Sequence, residues 1–327
     1  MNLTTRYLGL DLSSPLVASA SPLSSTIDGV RALADAGVGA VVLYSLFEEQ
    51  LTLERDALTR LLSDKSYAEA LVEKSESKRL SKSPLDYLNH VTAAREAVNV
   101  PIVASINGAP HSEWANYARL LEDAGASAVE VNLYFVTTDV DLDGAEVEKR
   151  YIDTIASVTD GIDIPVAVKL SPYFSNVGNF AKRLVSAGAS GVVLFNRFYQ
   201  PDIDITRRRM RPALELSRSH ELRLPLRWTG ILRDRIDASL AITTGVHSSD
   251  DVIKSILVGA DVVMLCGVLL ERGVDYVKTL QRGLEAWMAG EDVNRLDEVR
   301  GALCQARNEH PEVFERAQYI RTLESAS

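Results

Sequence analysis

The stretch Ala241-Ile242-Thr243-Thr244-Gly245-Val246-His247-Ser248-Ser249-Asp250-Asp251-Val252, with Val258-Gly259-Ala260-Asp261-Val262-Val263-Met264-Leu265-Cys266-Gly267 after it, decides the fold. It reads as a buried strand, a small-residue turn, a short helix, a second buried strand and a second small-residue turn. Two such turns side by side present backbone N–H groups and helix N-termini to a single anion, most often a phosphate. That arrangement belongs at the C-terminal face of a parallel α/β barrel.

Working outward, the same rhythm recurs. Apolar runs at 16–20, 40–43, 102–106, 128–132, 165–170, 191–195, 239–243 and 262–265 alternate with amphipathic helical segments. Each run is continuously apolar rather than alternating, as expected of strands buried on both faces of a parallel sheet. Eight strands predict an α/β fold of the (β/α)8 TIM-barrel type, with inserted loops over the C-terminal face, a doubly wound open sheet being the alternative. The barrel is expected over 1–290, followed by a polar helical tail at 291–327 packed on or beside it.

Two segments interrupt the rhythm. Residues 54–84 are polar and rich in Lys, Ser and Glu, and read as an excursion above the barrel mouth or a solvated loop. Between Phe195 and Leu240 lies a second excursion carrying Arg207-Arg208-Arg209-Met210-Arg211. Those arginines either seat an anionic ligand or form ordinary surface charge.

Composition narrows the class. The chain has 327 residues, 46% hydrophobic and 24% charged, which provides for a large core. A net charge of −10 disfavours nucleic acid or an acidic membrane as partner. Two cysteines, Cys266 and Cys304, form neither a disulfide framework nor a zinc motif, and a reducing, cytoplasmic compartment is expected. The start of the sequence lacks the apolar segment of a signal peptide, and no stretch is long and apolar enough to span a bilayer. The five histidines are scattered, so no metal site is expected.

In a parallel barrel the functional residues stand at the C-terminal ends of the strands. Those ends carry Ser19-Ala20, Tyr44-Ser45, Asn107, Asn132, Lys169, Asn196, Thr244-Gly245 and Cys266-Gly267. Lys169 ends the apolar strand Val166-Ala167-Val168, so it points into the mouth or buries its charge at high cost. A cation beside the amides of Asn132 and Asn196 suits an electron-accepting heterocycle that becomes negative on reduction. A Schiff-base lysine, as in a flavin-free barrel lyase, is the rival role.

Val168-Lys169-Leu170-Ser171-Pro172-Tyr173-Phe174 resembles the Val-Lys-Leu-Pro-Pro-Tyr-Phe segment of dihydroorotate dehydrogenases. Pro15-Leu16-Val17-Ala18-Ser19-Ala20, Glu130-Val131-Asn132 and the two turns quoted first match in the right order. The resemblance covers about residues 1–285 and is closest to the soluble branch. It implies a barrel holding FMN at its mouth, with Ser19 and Ala20 against the ring. Asn132, Lys169 and Asn196 then meet the ring's polar edge or the substrate, and Thr244, Gly245, Val246, Cys266 and Gly267 cradle the phosphate.

The implied activity is oxidation of dihydroorotate, or of a related cyclic substrate, by hydride transfer to flavin, with electrons passed to a soluble acceptor. A homodimer is implied as well. The alternative within the same cofactor class is a flavin-dependent reductase of another unsaturated substrate. Departures lie on the substrate side. The family's Asn-Leu-Ser-Cys-Pro-Asn segment is here Asn132-Leu133-Tyr134-Phe135-Val136-Thr137, with Phe135 where the family's base stands. Tyr44 replaces the family lysine after the second strand. Tyr134 and Tyr44 are therefore the candidate proton-transfer groups, beside Lys169.

Overall fold

The computed structural model describes residues 1–50, 83–108, 114–133, 136–197, 200–211 and 213–315. Eight parallel strands close into a barrel: β1 Leu16–Ala18, β2 Ala40–Val42, β3 Ile102–Gly108, β4 Ala128–Leu133, β5 Val166–Leu170, β6 Gly191–Leu194, β7 Ser239–Ile242 and β8 Val262–Leu265. The order runs β2-β1-β8-β7-β6-β5-β4-β3, and pairing of Val41 with Ile102 closes the ring. A short strand, Leu46–Phe47, extends β3 by parallel pairing at Ile106 and Asn107. The expected eight strands are all present within a residue or two of their predicted ends.

Alternation along each strand sorts the side chains. Val17, Ala40, Val42, Val103, Ala128, Ala167, Val193, Ala241, Val262 and Met264 fill the barrel's interior as one cluster. Their neighbours, such as Leu16, Val41, Ile102, Val129, Val168 and Leu240, face outward into a second cluster shared with the helices. Full burial of each such aliphatic side chain contributes about 1.5–3 kcal/mol, so both layers drive closure.

The helices α1 Ile27–Asp35, α2 Pro84–Ala97, α3 Trp114–Asp123, α4 Gly144–Thr159, α5 Val177–Ser186, α6 Arg223–Leu232, α7 Ser249–Leu257, α8 Gly267–Arg272 and α9 Tyr276–Gly290 follow the strands. Their starts are written in the sequence. Thr26, Asp143 and Asn176 accept from backbone N–H groups three residues on, and Ser83 and Ser248 form capping boxes with Asp86 and Asp251.

An N-terminal hairpin, Thr5–Tyr7 with Leu10–Leu12, was not expected. It plugs the closed end of the barrel: Tyr7, Leu8 and Leu12 pack into the interior cluster, and Thr5 Oγ1 donates to Asp261 O at 2.8 Å. The mouth, at the strands' C-terminal ends, is thus the open side.

Two sequence readings are corrected. The second excursion contains a hairpin, Asp202–Asp204 with Arg209–Arg211, and helix α6, whose apolar period is broken up by Pro225 and arginines. Arg207 and Arg211 are exposed and pair with Asp204 and Asp202 of the same hairpin, so they are surface charge. The tail over 291–315 holds no α-helix but two short 3-10 turns, Leu296–Glu298 and Pro311–Phe314. Three of its backbone donors leave the tail: Gly301, Leu303 and Gln305 bond to the carbonyls of Ile256, Leu257 and Gly230 on the barrel's helices. Residues 316–327 and most of the 54–84 excursion lie outside the described residues; Ser83 and Pro84 open α2.

Candidate functional site

Lys169 is the penultimate residue of β5, buried at 7% exposure, and lies in register with Asn132 on β4. Ala167, two residues earlier, belongs to the interior cluster, so Lys169 points inward at the mouth end. Asn196, just past β6, continues the ladder through its N–H to Leu170 O at 2.6 Å. Its Nδ2 donates to Asn132 Oδ1 at 2.5 Å. Strands β4 and β6 are therefore joined by their amides across β5, which carries the lysine.

The other wall is the pair of small-residue turns. Thr244 and Gly245 both adopt left-handed backbone, at φ 77° and 81°, and Thr244 Oγ1 donates to Phe195 O at 3.0 Å. A Cβ on Gly245 would stand 2.4 Å from Leu222 N, which no side chain tolerates. Gly245 N–H donates to Ser217 Oγ at 3.3 Å, and a Cβ on Gly267 would meet that same oxygen at 3.1 Å. The two turns face each other across Ser217. His247 closes the side of this cradle, with Nε2 3.3 Å from Ser217 Oγ and Nδ1 3.6 Å from Glu271 Oε2.

The expectation that helix N-termini hold the anion needs correcting for α7. The N–H groups of His247 and Ser248 both donate to Asp251 Oδ2 at 3.0 Å. The helix is capped by its own carboxylate, so these two N–H groups already have an acceptor within the chain.

Both walls line one cavity of about 910 Å3, which is within the ~300–1,000 Å3 of small-molecule and cofactor sites. Ser19, Ala20, Lys169, Asn196, Thr244, Gly245, Val246, Cys266 and Gly267 line it. Asn132 stands behind Asn196, and Tyr44 does not line the cavity. Tyr44 instead packs edge-on against Tyr87, 5.1 Å between ring centroids, and burial with Asp86 nearby pushes its hydroxyl up to about 12. That shift runs opposite to the one a proton acceptor near neutrality needs. Burial also raises the Cys266 thiol, with Lys169 pulling it partly back, so the thiol stays protonated. Tyr134 and Phe135 lie outside the described residues.

Sequence reasoning missed Ser217, His247 and Glu130. His247 directly follows a small-residue turn, which was the available signal. Glu130 interrupts the apolar run Ala128-Val129-Glu130-Val131, and a charge inside such a strand is itself a signal. Among the described residues no group of three or more His, Cys, Asp or Glu is placed to hold a metal, and no helix is long and apolar enough to cross a membrane.

Fold and site together define a (β/α)8 barrel with a cavity at the strand C-termini, small-residue turns after β7 and β8, and a lysine framed by amides at β4–β6. The chain belongs to the dihydroorotate dehydrogenase family, a family of oxidoreductases: the profile described as Dihydroorotate dehydrogenase matches residues 81–288. It is 25% identical over 210 residues to the dihydroorotate dehydrogenase B (NAD(+)) catalytic subunit of Methanothermobacter thermautotrophicus, covering 62% of this chain and 68% of that one. Identity to the Methanocaldococcus jannaschii protein of the same name is 23% over 315 residues, 91% of this chain and 97% of the other. The Escherichia coli NAD-dependent dihydropyrimidine dehydrogenase subunit PreA is 21% identical over 324 residues, 92% of this chain and 76% of its own. At these identities the chain is a divergent member.

Proposed function

We propose that this protein is an FMN-dependent oxidoreductase that oxidises dihydroorotate, or a closely related cyclic amide, at a CH–CH bond. The observation that carries the reading is the joint lining of one cavity by Lys169 and Asn196 on one side and the turns at 244–246 and 266–267 on the other. The residues fit the cofactor. The turns at 244–246 and 266–267 border the same cavity as the buried Lys169 ammonium and the Asn196 amide, a donor set that suits a ring that gains electrons. Bound FMN supplies a hydride acceptor at the mouth.

The chain's own residues do the rest. The Lys169 side chain would offset the negative charge that a bound ring gains on reduction. Asn196 fixes the Asn132 carboxamide, so that the pair orients the ring or the substrate without reorganising. Ser19 and Ala20 form a small flat wall at the end of β1. Thr244, Gly245, Val246, Cys266 and Gly267 hold the phosphate. The raised Tyr44 hydroxyl leaves Tyr134 as the proton-transfer candidate.

A second reading keeps the flavin and reverses the work: reduction of an unsaturated pyrimidine-type ring, with electrons from a nicotinamide or protein donor. The similarity to the dihydropyrimidine dehydrogenase subunit over 92% of the chain favours it. A cytoplasmic homodimer using a soluble electron partner accompanies either reading.

The visible spectrum of the purified protein, with added FMN if needed, tests the cofactor, and anaerobic addition of dihydroorotate tests the substrate. Bleaching of the flavin is expected. A protein that takes up no FMN removes both readings; a flavin that stays oxidised with dihydroorotate but reoxidises on addition of a pyrimidine after chemical reduction favours the second.

A further inference from the structure

Glu130 occupies the middle of β4 with no exposed surface, and neither carboxylate oxygen has a hydrogen-bond partner. Its ion-pair partner is Lys169, with Oε1 4.0 Å from Nζ. Strand register fixes the relation. Glu130 pairs with Ala167 and Asn132 with Lys169, and Ala128 and Ala167 belong to the interior cluster. Glu130 therefore projects into the barrel one layer below the lysine, on the closed side of it.

The surroundings add no competing cation. Tyr7, from the hairpin that plugs the barrel, is buried, lacks a hydrogen bond at its hydroxyl, and is pushed up by burial and by the Glu130 charge. Tyr87, from α2, is also raised by burial, and exchanges hydrogen bonds with the Ser105 backbone instead. Burial likewise raises the Glu130 carboxyl, while Lys169 pulls it back. A carboxylate taken out of water without hydrogen bonds costs several kcal/mol, and an ion pair offsets this only while both partners remain.

We propose that Glu130 is a positioning residue that anchors the Lys169 side chain from the closed side of the barrel and keeps it aimed at the mouth. It thereby also sets how much of the lysine's field reaches a ring bound there. Only this last consequence rests on the flavin reading. No proton or electron leaves the pair; Glu130 acts through Lys169.

Three measurements test it, two of them without flavin. Glu130→Gln keeps the side chain's shape and removes its charge. In protein freed of any flavin at pH 8, an amine-acylating reagent should modify Lys169 at least tenfold faster in this variant than in the parent, read by mass spectrometry. An equal or slower rate overturns the proposal. Lys169→Met leaves Glu130 alone in the barrel, where its folded-state carboxyl is raised above its unfolded value. The stability lost by Lys169→Met must then grow as pH rises from 5 to 8, because a raised carboxyl is neutral at low pH and must bury its charge at high pH.

Adding Glu130→Gln to Lys169→Met should restore stability at pH 8, and this double variant folds even where a single one does not, since both charges are gone. A double variant no more stable than Lys169→Met overturns the proposal. With FMN bound, the flavin midpoint potential should be more positive in Glu130→Gln, one negative charge having been removed beneath the ring. An unchanged potential overturns the tuning role. A protein that binds no flavin defeats the proposed function instead, and the first two measurements then decide the pairing.

Discussion

The Asn196 side chain donates to Asn132 Oδ1 at 2.5 Å, so the ends of β4 and β6 are tied together across the strand that carries Lys169. The contact is between two carboxamides, one lining the cavity and one behind it, and Asn132 is 5% exposed. Neither amide can turn without breaking the bond. The mouth is therefore preorganised on the side that carries Lys169.

Replacing Asn196 by Ala leaves Asn132 without that donor. We expect FMN to bind about tenfold more weakly, ~1.4 kcal/mol, the usual scale of one buried hydrogen bond with its desolvated partner. Fluorescence titration of the flavin-free protein measures this. A variant binding FMN as tightly as the parent would show that the bridge has no part in holding the ring.

The two cradle glycines should differ in what they tolerate. Gly245→Ala puts a side chain at φ 81° and a Cβ 2.4 Å from the Leu222 backbone nitrogen, which cannot yield. Such backbone strain costs about 1–3 kcal/mol and lowers Tm accordingly. Gly267→Ala meets a side-chain oxygen, Ser217 Oγ, at 3.1 Å, which a rotamer change relieves. The protein should keep its Tm while losing affinity for FMN more than for riboflavin, which has no phosphate. Equal melting points for the two variants would contradict the cradle geometry.

What could be seen in the sequence was what depends on local chemistry. Continuous apolar runs gave the eight strands, and the strand-end rule brought Lys169, Asn196, Thr244 and Cys266 to one cavity. What stayed hidden depends on partners remote along the chain. The tail's Leu296 and Val299 have helical spacing and share one short turn, but beyond it the N–H groups of Gly301, Leu303 and Gln305 bond to barrel carbonyls more than forty residues upstream. Helix α6 was masked by Pro225 and its arginines, and Ser217 belongs to the cradle only because a long connection folds back over Gly245. Glu130 was visible as a charge in an apolar strand, but its meaning needed the register with β5.

Tyr44 gives a prediction about pH. Burial, with Asp86 adding, raises its hydroxyl to about 12, so it is protonated throughout the range in which enzymes are assayed. Tyr44→Phe should leave the shape of the pH–rate profile unchanged with whatever substrate proves active, changing kcat/KM by less than about threefold, ~0.6 kcal/mol. Loss of a limb from the profile would return Tyr44 to proton transfer. Tyr134→Phe is the paired experiment: as the remaining candidate, its loss should lower kcat by at least about a hundredfold, the lower range for a general acid or base.

The tail's attachment supplies a test with the opposite pH sign. Arg307 grips Asp234 through Nε at 2.7 Å and Nη2 at 2.9 Å, and Cys304 Sγ lies 3.7 Å from the same carboxylate. The Arg307 hydrogen bond holds the Asp234 carboxyl below its ordinary value. A depressed carboxyl stabilises the fold above its unfolded pKa, near 3.9, and that contribution disappears as pH falls through the lower folded value. Asp234→Asn isolates the charge, because Asp234 sits at φ 66° and Asn, like Asp, accepts left-handed backbone. Both side chains are partly exposed, so solvent screening limits the pair to about 0.5–1 kcal/mol at pH 7. Urea unfolding should show that deficit at pH 7, a smaller one in 1 M salt, where the screening length falls to about 3 Å, and a shrinking one as pH falls below the unfolded pKa, near 3.9. A deficit independent of pH and salt would mean that the clasp works by packing rather than by charge.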